Sequence, residues 1–463
     1  MTAERIAIRR EIRATVAVAA PLAAANLAQM AMQVTNTVMV AHLGAVPLAA
    51  AGLGAALYAT LLMTSQGLLT AVAPLAAHAL GAGDRLMAGQ VATGGLVVAA
   101  MLAAPAIALL VALPPLLQLL GYDAPLVTDI GRFLVAISWG VPPFLGAAVL
   151  RFLLIAAFRT RIVMIVPMLA VPANIGLNWL LVFGHGGLPA LGAVGSASAT
   201  AIVQWLTLAS FGGYMLLVKM PLGGRSGRAV LRPIRDILRI GLPIAAMRGL
   251  EIGVFVMTGI MMGVVGADAL AAHQLVINVA GVCFMVPLGL SQAATVRVAH
   301  QLGLGAPAAA RRAAFTALAL GALFMTLTAS VLWSMPRLLV GLYLDLADPG
   351  NQAVVATALR LFAVAALFQL FDGVQVIAAG ALRGYRDTAV PMVIAAVGYW
   401  AIGFAGGLVA AFPLGYGAAG LWLGLALGLA SVAIALSLRL RWRAQAPFGA
   451  APRPALATGG AGA

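Results

Sequence analysis

The feature that most constrains this chain is a succession of apolar runs, each about 20 to 28 residues long and nearly free of charge. Wound as a helix, a run of that length matches the hydrocarbon thickness of a bilayer. Inside lipid every backbone N–H and C=O must be satisfied internally, which leaves helices or closed barrels. The runs are rich in Ala, Leu and Val and show no alternation of period two, so helices are expected and a barrel is not. Only 8% of the residues are charged. A soluble domain carries roughly a quarter, so there are too few here to clothe a water-facing surface.

Spans are expected near 14–40, 47–77, 88–113, 130–150, 162–183 and 191–218, and again near 237–264, 269–296, 313–343, 354–380, 389–412 and 417–438. The net charge of +15 would suit a nucleic-acid partner, but its placement does not. With the N-terminus inside the cell, Arg9, Arg10 and Arg13 precede the first span on the cytoplasmic side. Arg151, Arg159 and Arg161, then six basic residues from Lys219 to Arg239, then Arg383 and Arg386 also fall there. The opposite side holds only Arg132, Arg337 and Arg360, and Arg248 lies within a span. This is the positive-inside bias, which puts both termini in the cytoplasm. The basic excess marks topology, and no nucleic-acid partner is expected.

The chain also repeats itself. A shift of 222 residues lays Pro21, Ala23 and Ala24 on Pro243, Ala245 and Ala246, and Ala77-His78 on Ala299-His300. Further on the shift becomes 224, with Val166-Pro167-Met168 on Val390-Pro391-Met392. Because each half holds six spans, both insert with the same orientation, as a parallel repeat about the membrane normal. The expected fold is thus an all-α integral membrane protein of twelve transmembrane helices in two pseudo-symmetric six-helix lobes around a central cleft. The lobes are 1–218 and 240–443. A cytoplasmic linker at 219–239 is expected to begin as an amphipathic surface helix, and the Ala/Pro/Gly-rich tail at 444–463 is expected to be disordered.

Among the few acids, only Glu251 and Asp372 fall well inside spans. A charge at that depth costs about 2.5–3.5 kcal/mol on insertion scales and normally marks an ion path. In register, Glu251 lies on Gln29 and Asp372 on Ala148, so neither acid has an acidic mate in the first half. Such a carboxylate can take up and release a proton, and two with oxygens nearby could hold Na+; the sequence leaves both open. Arg248 stands three residues before Glu251 on the same helical face, as a structural ion pair or as a switch that yields to the incoming cation. Asn174 and Asn178 share a face of the fifth span, and with Asn36 and Gln29 they are candidate lining for a substrate cleft. No phosphate-binding loop, metal-protease motif or nucleophile elbow is present, which sets an integral-membrane enzyme behind a carrier.

The stretch DGVQVIAAGALRGYRDT at Asp372–Thr388 resembles the tenth-span signature of the multidrug and toxic compound extrusion (MATE) family. GLPIAAMRGLEIGVF in the seventh span resembles its NorM-like branch, with Glu251 at that branch's acidic position. MVAHLG at Met39–Gly44, NIGLNW at Asn174–Trp179 and GAVGSASAT at Gly192–Thr200 are further likenesses. The resemblance implies a V-shaped, two-lobe antiporter of a bacterial inner membrane, working as a monomer without a cofactor. It would expel cationic or amphipathic compounds in exchange for Na+ or H+. By the same resemblance Glu251 and Asp372 form the cation site, with no other metal-binding residues. Two departures stand out. Asn36 occupies a first-span position usually acidic in the branch, and Phe368 stands where relatives often have Tyr; its ring can still make a cation–π contact. An exporter or flippase of a lipid-linked or natural-product substrate is the alternative on the same fold.

Overall fold

The computed structural model describes residues 2–220 and 227–445. The first half holds α1 (Thr2–Ala41), α2 (Ala45–Leu69), α3 (Val72–Gly81), α4 (Arg85–Leu119), α5 (Ala124–Ser138), α6 (Val141–Ala156), α7 (Thr160–Phe183) and α8 (Gly192–Leu217). The second half holds α9 (Gly227–Val265), α10 (Ala267–Gly303), α11 (Pro307–Ser334), α12 (Pro336–Gly341), α13 (Gln352–Gly384) and α14 (Ala389–Ala396). A π-helical segment (Val397–Phe404) leads into α15 (Ala405–Ala411), and α16 (Gly417–Gln445) follows. Among the described residues eleven stretches are long and apolar enough to cross a bilayer, and the bent pair α5–α6 makes a twelfth. The expected tail lies almost entirely outside the described residues.

The expected fourth span, near 130–150, is a bent pair of helices that meet at 43°. The sequence Gly140-Val-Pro-Pro explains the break, because a proline early in a helix pre-sets its first turn but cannot continue the preceding helix. The last part of the expected linker, from Gly227 onward, is helical. Arg232, Arg235 and Arg239 stand on α9 itself, which continues unbroken to Val265. At 39 residues α9 is about 58 Å long, so its first turns extend beyond a hydrocarbon core of about 30 Å.

The repeat is visible in backbone detail. Gly44 and Gly266, register mates ahead of α2 and α10, have φ of 107° and 152°, backbone that a side chain would strain. The lobes meet across α1 with α10, α2 with α9, and α3 with α10. Helices approach closely there because the facing residues are small. A methyl added at Gly81 would run into the His300 carbonyl oxygen, and one at Gly303 would run into that of His78. Each of these glycine and histidine pairs is the register mate of the other. Glu11 on α1 is also ion-paired with Arg297 on α10. These contacts involve the half of the bundle that carries most of the basic residues.

Candidate functional site

In the second lobe, α9 supplies Arg248 and Glu251, α13 supplies Phe368, Asp372 and Gln375, and the π segment supplies Tyr399. Glu251 is 9% exposed and Asp372 6%. Arg248 Nη1 donates to Glu251 Oε2 at 3.0 Å. Gln375 Nε2 lies 3.3 Å from both Glu251 Oε1 and Asp372 Oδ1 and donates to each. The Tyr399 hydroxyl donates to Gln375 Oε1 at 2.9 Å, which turns the amide nitrogen toward the acids. Trp400 Nε1 donates to the Leu250 carbonyl at 3.2 Å and ties the π segment to α9. Widened π turns of this kind recur where a helix must aim side chains at a site.

The two carboxylates are therefore not equivalent. Glu251 meets a guanidinium and an amide, whereas Asp372 meets only the amide. Glu251 is balanced by a guanidinium at 3.0 Å, whereas among the described residues no such partner faces Asp372. Among the described residues no cluster of three or more His, Cys, Asp or Glu could hold a metal ion.

Beside the acids, Arg248, Glu251, Gln375 and Arg383 border a cavity of about 10 Å³, room for roughly one water molecule. Arg383 is not simply a marker of the cytoplasmic surface, as the sequence reading had it. Its side chain turns inward, and Nη2 donates to Ser291 Oγ at 2.8 Å. Ser291 Oγ donates to the Val376 carbonyl at 2.6 Å and Thr295 Oγ1 to that of Gly380 at 2.8 Å, fastening α10 to α13. Phe368 is buried edge-on against Trp422 and Phe255, with centroids 5.3 and 6.0 Å away. That cluster braces the α13 turn preceding Asp372.

The first lobe contains a different kind of site. A cavity of about 420 Å³ opens among α1, α2, α5, α6 and α8. Its walls are apolar residues such as Met32, Leu62 and Phe133, crossed by the amides Gln29, Gln33, Asn36, Gln66 and Gln204. No charged side chain is among the residues lining it. Of the four predicted cleft residues, Gln29 and Asn36 reach the cavity, while Asn174 and Asn178 are fully buried behind it. Asn178 Nδ2 donates to Asn36 Oδ1 at 3.0 Å and to the Asn174 carbonyl at 2.8 Å. Asn36 Nδ2 in turn donates to Thr200 Oγ1 at 3.0 Å. The rear asparagines thus hold Asn36 in place.

Arg151 is a second correction. Assigned by the sequence to the cytoplasmic side, it is 6% exposed and lies inside the first lobe. Its Nη2 donates to Asn26 Oδ1 at 2.8 Å and its Nη1 to Gln29 Oε1 at 3.3 Å. Arg248 is therefore not the only base at depth. Sequence reasoning missed Gln375, Tyr399 and Arg151. The signal was available for two of them: Gln375 follows Asp372 by three residues on one helical face, and the 224-residue shift lays Arg151 on Gln375.

Compared with known proteins, the chain matches the sequence profile of the MatE family over residues 21–180 and 243–409. It is 43% identical to a "Probable multidrug resistance protein NorM" of Burkholderia mallei, covering 90% of each chain. It is 42% identical to a "Multidrug resistance protein NorM" of Burkholderia vietnamiensis, covering 89% of each. Among solved structures, a eukaryotic MATE transporter, AtDTX14, superposes with a TM-score of 0.86 at 22% identity, over 95% of this chain and 98% of that one. An outward-facing multidrug resistance MATE family transporter superposes at 0.84 with 17% identity, over 94% and 96%. The two-lobe fold expected from the repeat is the fold these structures share.

Proposed function

Because the chain belongs to the MatE family, we propose that it is a secondary active efflux antiporter of a bacterial inner membrane. It exports cationic or amphipathic small molecules in exchange for Na+ or H+, works as a monomer, and keeps both termini in the cytoplasm. The observation that carries the reading is the uneven pairing of the buried acids. Asp372 alone lacks a guanidinium partner, so its charge is the one an incoming cation changes most. Binding of that cation alters what Gln375 donates to, and Tyr399 couples the amide to the π segment. Meanwhile the lobes are closed on the basic side and the 420 Å³ cavity lies in the other half of the bundle. With cytoplasmic termini this is an outward-facing arrangement, poised to release substrate and admit an ion.

The cavity volume suits a drug-sized ligand. The test is dye transport in proteoliposomes, with sodium and proton gradients imposed separately. Transport driven by one gradient and lost in Asp372→Asn is the expected result. Dye movement that ignores both gradients would exclude the antiporter.

A further inference from the structure

The first lobe's cavity is lined at one end by Gln29, which accepts from Arg151, a buried base that no acid pairs with among the described residues. Asn26, Gln29 and Arg151 stand, in register, where the second lobe has Arg248, Glu251 and Gln375. The second lobe pairs its base with a carboxylate at that level. In the first, Arg151 has only two neutral amide oxygens, and its Nε is buried with no hydrogen-bond partner among the described residues. A guanidinium taken out of water is costly unless paired, and a counter-charge from outside the protein would relieve that cost. The route to it is Gln29, whose Oε1 accepts from Arg151 while its side chain lines the cavity.

We propose that this cavity selects amphipathic substrates bearing a carboxylate or similar anionic group, anionic or zwitterionic overall, and that Arg151 is the residue that sets the preference. The inference rests on the efflux reading and revises its substrate class, keeping amphipathic compounds and putting acid-bearing ones ahead of simple cations. The apolar walls receive the ring system of such a molecule, and Gln33, Asn36 and Gln66 offer amide hydrogen bonds around it. Its acid group is drawn toward the Arg151 end, where Gln29 hands on or yields the guanidinium donor. Arg151 is itself 6% exposed, and a charge so poorly screened by water acts over several ångströms. A lipophilic cation finds no acid in this cavity and is repelled from its inner end. The two lobes thus divide the charges of the exchange, the second taking the coupling cation and the first the substrate's acid group.

The experiment uses a matched pair of dyes, a rhodamine ethyl ester that is a simple cation and the corresponding free acid. Binding to the purified full-length protein is read by fluorescence polarisation, and transport is read in proteoliposomes. The wild type is expected to favour the acid by about ten-fold, equivalent to roughly 1.4 kcal/mol. Arg151→Lys keeps the preference and Arg151→Gln removes it. Gln29→Glu, which supplies an internal counter-charge while leaving Arg151 in place, removes it as well. A wild-type preference for the ester, or a preference unchanged in both Arg151→Gln and Gln29→Glu, overturns the proposal. Acid-selective binding without gradient-driven transport would sink the antiporter reading alone, and gradient-driven transport with no acid preference would sink this one alone.

Discussion

The two lobes share a backbone and differ in what it carries. Around Asp372 the second lobe gathers two acids, an amide, a tyrosine and two arginines into an almost closed cluster with room for about one water. At the matching depth the first lobe has a lone arginine held by amides, beside a cavity about forty times larger. Duplication supplied the frame and substitution at a few register positions divided the labour. A closed polar cluster is a place to bind an ion, since every donor already has a fixed direction. An open, uncharged pocket is a place to bind molecules of varied shape, since apolar contact is not directional. The comparison teaches that the pseudo-symmetry is mechanical and the chemistry is asymmetric.

The largest effect should come from removing the one acid whose charge is not balanced. Asp372→Asn is expected to reduce gradient-driven transport by at least about 100-fold, in keeping with the loss of an ion-coupling group at bilayer depth, while thermal stability in detergent stays near that of the wild type. Glu251→Gln should instead lower stability, because it leaves the half-buried Arg248 guanidinium without its partner at 3.0 Å. If the two variants lose transport and stability in the same proportion, the distinction between a coupling acid and a structural acid fails.

Where the lobes touch, the symmetry should hold. Gly81 and Gly303 each sit against a carbonyl of the other lobe, so Gly81→Val and Gly303→Val should each destabilise the closed face to a similar degree. Overpacking of this kind costs about 1–3 kcal/mol, enough to move a balanced equilibrium by roughly 5- to 160-fold. The readout is maleimide labelling from outside at Gln33→Cys in a Cys283→Ala background, which should fall in both variants. A large drop in one and none in the other would show that the two halves do not close as mates.

Tyr399→Phe tests how the amide between the acids is aimed. One hydrogen bond is worth about 0.5–1.5 kcal/mol, so ion affinity should weaken by roughly two- to ten-fold and not vanish. An ion titration of transport that is unchanged would make the 2.9 Å contact to Gln375 incidental.

Much of this was legible before the structure. The apolar runs announced the spans, the nearly constant register announced two lobes, and the rarity of acids singled out Glu251 and Asp372. What stayed hidden has physical reasons. Gln375 and Tyr399 are polar without being charged, and such residues are common enough in membrane helices that depth alone does not distinguish them. Arg151 and Arg383 were placed on a side by counting along the chain. A long side chain on a helix can turn its charge back into the bundle, and no count of loop residues reports that. The bend between α5 and α6 stands at Pro142 and Pro143, and because both flanks are apolar the pair still reads as one span.

The mildest change probes the comparison from the first lobe's side. Asn36 lines the cavity with its amide nitrogen on Thr200 and its oxygen accepting from Asn178. Asn36→Asp keeps the acceptor toward Asn178 and loses the donor, so Thr200 must turn its hydroxyl from the Ser196 carbonyl to the new carboxylate. That exchange costs little and leaves the fold intact, yet it gives the cavity the acid it lacks. Cationic dyes should then gain a few-fold in affinity, as expected for a charge pair near a partly wet surface, and acid-bearing dyes should lose by a similar factor. Competition binding with one dye of each kind reads both changes in a single sample. If neither moves, the charge character of the cavity is set elsewhere than at its walls, and the division of charge between the lobes would have to be sought in the Arg151 cluster alone.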